Sequence, residues 1–314
     1  MYFLVTSSLH FIKNGRSMQQ RVKTALLLIN QRSRKGRIDA ARATQLLQQS
    51  GLILLEPAYD DSRPYAELIT AYASQVDLVI VGGGDGTLNA AAAGLMQTGL
   101  PLGILPLGTA NDFARTLGIP PQLEQAVSII CQGNVRFVDL GEVNGHLFLN
   151  VSSIGFSAEL ARNLTAQAKK RWGVLGYAFA ALRILRQSRP FSATLHHEGQ
   201  AIAIKTVQVS VGNGRFYGGG MTVEQSAAPD DGLLDVYSLE LKRSWQLLAL
   251  FPSLRRGTQG RWRNVRTFST KALTLHTRRP HYINADGEII GQTPAQFCLI
   301  NDALKVLAPE KRHP

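Results

Sequence analysis

Apolar residues along this chain fall into two rhythms. In the first, short apolar runs alternate with longer amphipathic stretches. KTALLLI at 23–29 predicts a strand that ends at Asn30. Residues 39–50 predict a helix with Ala40, Ala43, Leu46 and Leu47 on one side. LILLEP is a second strand, and 64–75 a second helix with Pro64 near its start, where a missing N–H costs little. In SQVDLVI, the residues Val76, Leu78, Val79 and Ile80 read as a buried parallel strand. LNAAAAGLM is a good helix former. GILPL is a further strand, and GTANDFAR opens another helix, with Asn111 as its cap and Asp112 in its first turn. This alternation predicts an α/β domain with a mostly parallel sheet and helices on both faces.

The second rhythm begins near Val135. Short strands follow one another between turn residues: RFVDLGEV, HLFLNVSSIG, FSATLHHEG, IAIKTVQVSVGN, LLDVYSLE and KALTLHTRR. They predict an all-β domain, a β-sandwich. Two helical inserts interrupt it, at 158–187 and 241–256, the second followed by QGRWRNVRT. The expected division is 1–138 for the α/β domain and 139–302 for the sandwich. A length of 314 residues suits two domains.

Composition changes this picture in one respect. The chain carries 34 Lys and Arg against 22 Asp and Glu, a net charge of +12. That excess implies a polyanionic partner: nucleic acid, an anionic membrane surface or a phosphorylated ligand. In both inserts basic residues interleave with aromatics, which suits an amphipathic face on anionic lipid. No nucleic-acid motif accompanies the charge, so nucleic acid is the weaker reading. The uncharged run from Gly86 to Asn111 is broken by prolines and glycines and is not a membrane span. Cys131 and Cys298 make no disulfide framework, and MYFLVTSSLHFIK lacks the marks of a secretory signal. The expected setting is cytoplasmic, with peripheral membrane association.

The candidate chemistry centres on VGGGDGTLNA at 81–90. A strand that passes through three glycines into a helix can bring main-chain N–H groups to a phosphate. No Gly-Lys-Ser/Thr follows, and Thr87 stands where the dinucleotide fingerprint needs glycine. Asp85 would repel phosphate directly and makes more sense beside a metal ion, or as a group that orients substrate. Thr109, Asn111 and Asp112 leave a neighbouring strand end on the same sheet edge. In the basic loop QRSRKGR, Arg34, Lys35 and Arg37 could meet phosphate. The sandwich offers two acidic clusters, each also compatible with a turn: Asp230, Asp231 and Asp235, and Asp286 with Glu288. The adjacent His196 and His197 would face opposite sides of a strand, and no nucleophile elbow occurs. Phosphoryl transfer to an alcohol would therefore use a carboxylate as base.

The order NQRSRKG, GGGDGTLN, LPLGTANDFAR, VDLGEVNG, FLNVSSIGF, VGNGRFYGGGM, PDDGLLDV and ADGE resembles the diacylglycerol kinase catalytic family, most of all its bacterial lipid kinases. The resemblance covers residues 24–310. It implies an ATP-dependent lipid kinase with a cleft between its domains. ATP is then held by Gly83, Gly84, Asp85, Gly86, Thr87, Leu88 and Asn89, with Asn30 and Thr109 nearby. The catalytic base is Glu288, with Asp85 assisting. Magnesium is held by Asp231 with backbone oxygens of Ala228 and Leu233. The last strand, 303–314, returns to the first domain. A homodimer is compatible. One departure stands out: the family's first strand often ends Asn-Pro, and here it ends Asn30-Gln31. The rival readings are a kinase of a soluble nucleotide, similar to NAD kinases, and a non-catalytic nucleotide- or lipid-binding regulator.

Overall fold

Strand and helix alternate through the first half of the computed structural model, which describes residues 23–30, 34–57, 63–163, 188–222, 227–242 and 246–310. β1 (Thr24–Ile29) leads to α1 (Arg34–Gln49), β2 (Ile53–Leu55), α2 (Tyr65–Tyr72), β3 (Leu78–Gly83) and α3 (Asp85–Thr98). β4 (Leu102–Pro106), α4 (Asp112–Thr116) and α5 (Leu123–Gln132) follow. The strands lie in the order β2-β1-β3-β4, all parallel. Every residue of β3 and β4 is buried, so both faces of the sheet are covered. α2 packs on α3 and α1 on α5. The first pair approaches closely because a Cβ at Gly94 would lie 2.7 Å from the Ala66 Cα.

α1 starts at Arg34, earlier than the apolar periodicity predicts. Part of the expected basic loop is therefore the first turn of a helix. Periodicity misses this start because residues 34–37 carry no apolar side chain. That turn also holds no acidic residue.

The second half is built from β5 (Val135–Val143), β6 (His146–Phe148), β7 (Val151–Gly155), α6 (Phe156–Asn163), β8 (Phe191–His197), β9 (Gln200–Thr206) and β10 (Gln208–Gly212). A small hairpin, β11 (Phe216–Tyr217) and β12 (Met221–Thr222), precedes β13 (Leu234–Leu239) and α7 (Gln246–Arg256). Then come β14 (Val265–Thr270), β15 (Ala272–Thr277), β16 (Tyr282–Ala285), β17 (Glu288–Gln292) and β18 (Ala295–Leu307). Six antiparallel strands, in the order β14-β13-β10-β7-β16-β17, form one layer of a sandwich. Residues such as Phe148, Ile154, Leu195, Val211 and Phe297 fill the space between the layers. α7 covers the outer face of the six-stranded layer with Leu247, Leu250 and Leu254. Most of the first predicted insert, residues 164–187, lies outside the described residues.

β18 joins the two domains. Its first half runs antiparallel to β15 and β5, and Val306 near its end lies parallel to Leu102 of β4. One ten-stranded sheet therefore passes through both domains. The register with β5 slips between Ile300 and Leu304, where Asp302 takes φ 50°. The Asp139 carboxylate secures this irregularity by accepting the Asp302 N–H at 2.8 Å.

Two predicted strands are each broken in two. HLFLNVSSIG divides into β6 and β7, and IAIKTVQVSVGN into β9 and β10, with the pieces in different sheets. The apolar pattern hides both breaks because β7 and β10 are buried on both faces. The first break falls at residues 149–151, whose N–H groups leave the ladder for a distant carboxylate.

Candidate active site

The glycine loop sits where β3 becomes α3. Gly84 is the cap of α3, in extended conformation and with no side-chain hydrogen bond to the first turn. The first N–H groups of this fourteen-residue helix thus lack a side-chain acceptor and face out beyond the carboxyl end of β3. Around Gly86 there is open space, since a Cβ there would meet nothing within 4 Å. Gly83 is needed for a different reason: its Cβ would lie 2.5 Å from the Thr87 Cβ. The loop after β4 backs directly onto this turn. Gly83 O accepts the N–H groups of Leu107 at 3.0 Å and Gly108 at 3.1 Å. Thr109 lies exposed on that second loop. Asn30, at the end of β1, donates Nδ2 to Thr87 Oγ1 at 3.1 Å. Leu88 instead buries its side chain in the first domain's core, so only its main chain belongs to the loop.

The contact between the two loops sets up a test. A Cβ at Gly108 would lie 2.4 Å from the Gly84 Cα and 2.6 Å from Asn111 Oδ1. Main chain cannot swing aside as a flexible side chain can. Gly108→Ala is expected to lower stability by ~1–3 kcal/mol, read by thermal melts. An unchanged melt would show that the two loops are not rigidly apposed.

Asp85 does something the sequence does not reveal. Its Oδ2 accepts the Asp112 N–H at 3.1 Å, and its Oδ1 accepts the Phe113 N–H at 2.9 Å. It therefore caps α4 from across the loops. Asn111, expected as that cap, makes no capping hydrogen bond and sits in the left-handed region at φ 50°. Its side chain braces its own loop, accepting from Gly108 N and donating to the carbonyls of Pro106 and Gly108. Asp112, 3% exposed, accepts the Gly219 N–H at 2.7 Å and pairs with Arg115. Burial pushes its carboxyl above the usual range; the Gly219 N–H opposes this, while the nearby Asp85 carboxylate adds to it. Gly219 lies between β11 and β12, so α4 holds a piece of the second domain against the glycine loop.

The opposite wall is the turn between β16 and β17. Asp286 adopts φ 48° there and receives four hydrogen bonds. Three come from the N–H groups of Leu149, Asn150 and Val151, at 2.6, 3.0 and 3.1 Å. The fourth comes from Asn89 Nδ2 at 2.9 Å. Burial pushes the Asp286 carboxyl up, and these donors pull the other way. Asn89 also donates to Leu147 O. The Asn89 side chain, expected to meet nucleotide, thus pins α3 to the second domain. Asn150 completes the join by donating Nδ2 to Asp85 Oδ1 at 3.3 Å, and its buried Oδ1 has no partner among the described residues. Glu288 opens β17, exposed, two residues beyond Asp286.

The Pro-Asp-Asp-Gly segment forms a turn with Gly232 at φ 75°. Asp231 accepts the Leu233 N–H at 3.0 Å, while Asp230 is paired with Arg136. Burial, opposed by the N–H groups of Leu233 and Ala228, pushes the Asp231 carboxyl up, and the Asp139 and Asp230 carboxylates reinforce that. Surplus negative charge among oxygen donors fits a hard cation such as magnesium. Among the described residues no cluster of three metal-ligating side chains exists. Such a site would rest on one carboxylate and on main-chain oxygens, those of Ala228 and Leu233 included.

The site thus joins a parallel-sheet domain with a glycine loop to a β-sandwich that bears a carboxylate turn, the two-domain architecture the motifs lead one to expect. Known proteins agree. The profile of the diacylglycerol kinase catalytic domain matches residues 24–143, and that of the YegS C-terminal NAD kinase beta sandwich-like domain matches 150–308. "Diacylglycerol kinase" of Mycobacterium tuberculosis is 33% identical over 272 residues, 84% of this chain and 87% of that protein. "Probable lipid kinase YegS-like" of Pseudomonas aeruginosa is 31% identical over 299 residues, 91% of this chain and 95% of that protein. An uncharacterized Synechocystis protein is 32% identical over 240 residues; the match takes in 54% of its length. Among solved structures, "a putative diacylglycerol kinase from Bacillus anthracis" superposes with a TM-score of 0.77 at 27% identity, over 94% of this chain and 98% of that one. The chain belongs to the diacylglycerol kinase family, in its YegS-like lipid kinase branch.

Asn150 and Gly219 are residues of this domain junction that sequence reasoning missed; Asp112 was placed beside the glycine loop, but not its acceptance of the Gly219 N–H. The repeated Asp-Gly and Asn-containing turns were visible, but nothing local says which distant N–H each carboxylate will accept.

Proposed function

We propose that this protein transfers the γ-phosphoryl group of ATP to a hydroxyl of a diacylglycerol-like lipid at an anionic membrane surface. The observation that carries this reading is the Asp286–Asn89 hydrogen bond at 2.9 Å. It ties the turn that bears Glu288 to the helix whose uncapped start could hold phosphate. Two residues span at most ~7 Å, so Glu288 stays close to that join.

In this reading the N–H groups of residues 83–89 donate to the phosphate oxygens, and Thr109 and Asn30 shape the loop's edges. Glu288 accepts the proton of the acceptor hydroxyl. The hydroxyl oxygen bonds to the γ-phosphorus as the bond to the β–γ bridging oxygen breaks, and ADP leaves with that oxygen. Asp85 acts as a positioning residue: it fixes α4 and the second loop, leaving the main chain aimed at the nucleotide. Bound magnesium would neutralise phosphate charge or firm the 228–233 turn. Asp231, with main-chain oxygens of Ala228 and Leu233, is the group proposed to hold it.

The test is transfer of labelled phosphate from ATP to a panel of lipids and to NAD. Transfer to lipid alone supports the reading; transfer to NAD alone refutes it. The metal site has its own check. Magnesium is expected to raise the melting temperature of the wild-type chain, and Asp231→Ala to abolish that rise. An equal rise in the variant would remove Asp231 from the site.

A further inference from the structure

Between Leu241 and Ala285 the sequence holds ten Lys and Arg and no Asp or Glu. A large part of the chain's net positive charge therefore lies in one acid-free stretch. The structure gives that stretch a shape. α7 buries Leu247, Leu250 and Leu254 against the sheet. One exposed flank, which in a helix bathed by water should be polar, carries Leu248 at 59% exposure and Phe251 at 49%, three residues apart and so neighbours on the helix surface. Trp262, 39% exposed, donates its indole N–H to Ser253 Oγ at 3.0 Å and so lies against the other flank of the same helix. Arg255, Arg261 and Arg263 stand exposed beside it, with no ion pair among the described residues. The nearby Glu240 carboxylate is already committed to Arg266.

From this juxtaposition we infer that the α7 face, with Leu248, Phe251 and Trp262 inserted and the arginines at the headgroup level, is the surface that seats the protein on an anionic bilayer. An apolar summit with a cationic rim suits the boundary between acyl chains and acidic headgroups. Nucleic acid would place phosphates against the arginines but give Leu248 and Phe251 no groove to fill. The face also connects with the crevice. Thr222 of β12 donates Oγ1 to Arg255 O, and Gln259 Nε2 donates to Thr222 O. The turn of the same hairpin gives its Gly219 N–H to Asp112, and Phe216, paired with Thr222, donates its N–H to Thr116 Oγ1. Between them a buried hydrogen bond joins the Tyr217 and Tyr237 hydroxyls. The hairpin thus touches both α7 and α4. Its use in catalysis rests on the lipid kinase reading; the docking itself does not.

The experiment is vesicle co-sedimentation of the full chain. Vesicles of equal parts phosphatidylglycerol and phosphatidylcholine are compared with pure phosphatidylcholine. Binding to the anionic vesicles is expected, with a loss of about fivefold each for Arg255→Ser and Arg263→Ser, about 25-fold together. Phe251→Ser is expected to cost about tenfold. In the wild-type chain, brominated lipid should quench tryptophan emission, and Trp262→Phe should lower that quenching measurably, to what Trp172 and Trp245 leave; this arm decides if a variant unfolds. Equal binding to neutral vesicles, or undiminished binding by the arginine and phenylalanine variants, overturns the assignment. So does a change of oligomeric state in Phe251→Ser, which would make the face a contact between copies. Capture of an oligonucleotide by the same arginines without vesicle binding also overturns it. Transfer to a short-chain acceptor dissolved as monomers should be unaffected in these variants. If the wild type shows no transfer yet binds anionic vesicles in the expected pattern, the docking face stands and the reaction falls.

Discussion

Glu288→Gln is expected to reduce turnover at least ~10²-fold with ATP affinity unchanged. The substitution preserves size and leaves the fold alone, because Glu288 is exposed at the first position of β17. What changes is chemistry: an amide cannot take up the proton released as the acceptor oxygen bonds to phosphorus. In the proposed reading the nucleotide is held by main chain on the other domain, so its affinity should not register the change. Steady-state rates against ATP and lipid, with nucleotide titration alongside, separate the two effects. Near-normal turnover would remove Glu288 from the reaction. Glu288→Asp should recover part of the rate, since a carboxylate remains at a shorter reach.

The second large effect is expected at Asp286. Asp286→Ala leaves three main-chain N–H groups and the Asn89 amide without their acceptor. An unmet donor costs ~1–3 kcal/mol when buried. The main-chain donors belong to Leu149, Asn150 and Val151, all buried, and a total of ~3 kcal/mol is the expectation from the low end of that range. For a domain of this size the melting temperature should fall ~6–12 °C. Turnover should fall as well, because the join between the Glu288 turn and α3 is lost. Asp286→Asn should lie between: asparagine tolerates the left-handed conformation, but only one of its two terminal atoms accepts. A melt shifted by less than ~2 °C in Asp286→Ala would mean that these hydrogen bonds do not hold the crevice together.

The first domain was legible because its strands are short apolar runs separated by helices with one apolar side, a local signal. The passage from a buried strand through the glycines into a helix was legible for a similar reason, because glycines beside a strand end mark a sharp change of backbone direction. The sandwich could be inferred, but not its strand breaks. The first depends on Asp286 reaching back 137 residues to the Leu149 N–H, and the second falls at Val207, whose N–H goes to Leu239 O. The return of the last strand to the first domain came from the family resemblance, whereas the start of β18 at Ala295 in the sandwich, and so its passage through both domains, rests on partners throughout the chain. Asn89 and Asp85 are the instructive cases. Each stands in a loop that reads as nucleotide-binding, yet Asn89 turns to Asp286 and Asp85 to the start of α4. A polar side chain beside a phosphate cradle looks the same in sequence whether it faces a ligand or the neighbouring domain. The exposed side of α7 was half legible: interleaved arginines and aromatics were plain, but which of them are buried was not.

A crystal structure with a non-hydrolysable ATP analogue tests the central claim most directly, through the separation between the γ-phosphorus and the Glu288 carboxylate. An acceptor oxygen must sit ~3 Å from each, so the account predicts a gap of ~6 Å, with the phosphates on the N–H groups of the Gly84–Asn89 turn. A nucleotide seated elsewhere, or a carboxylate held more than ~12 Å away with Asn89 still bound to Asp286, would contradict it.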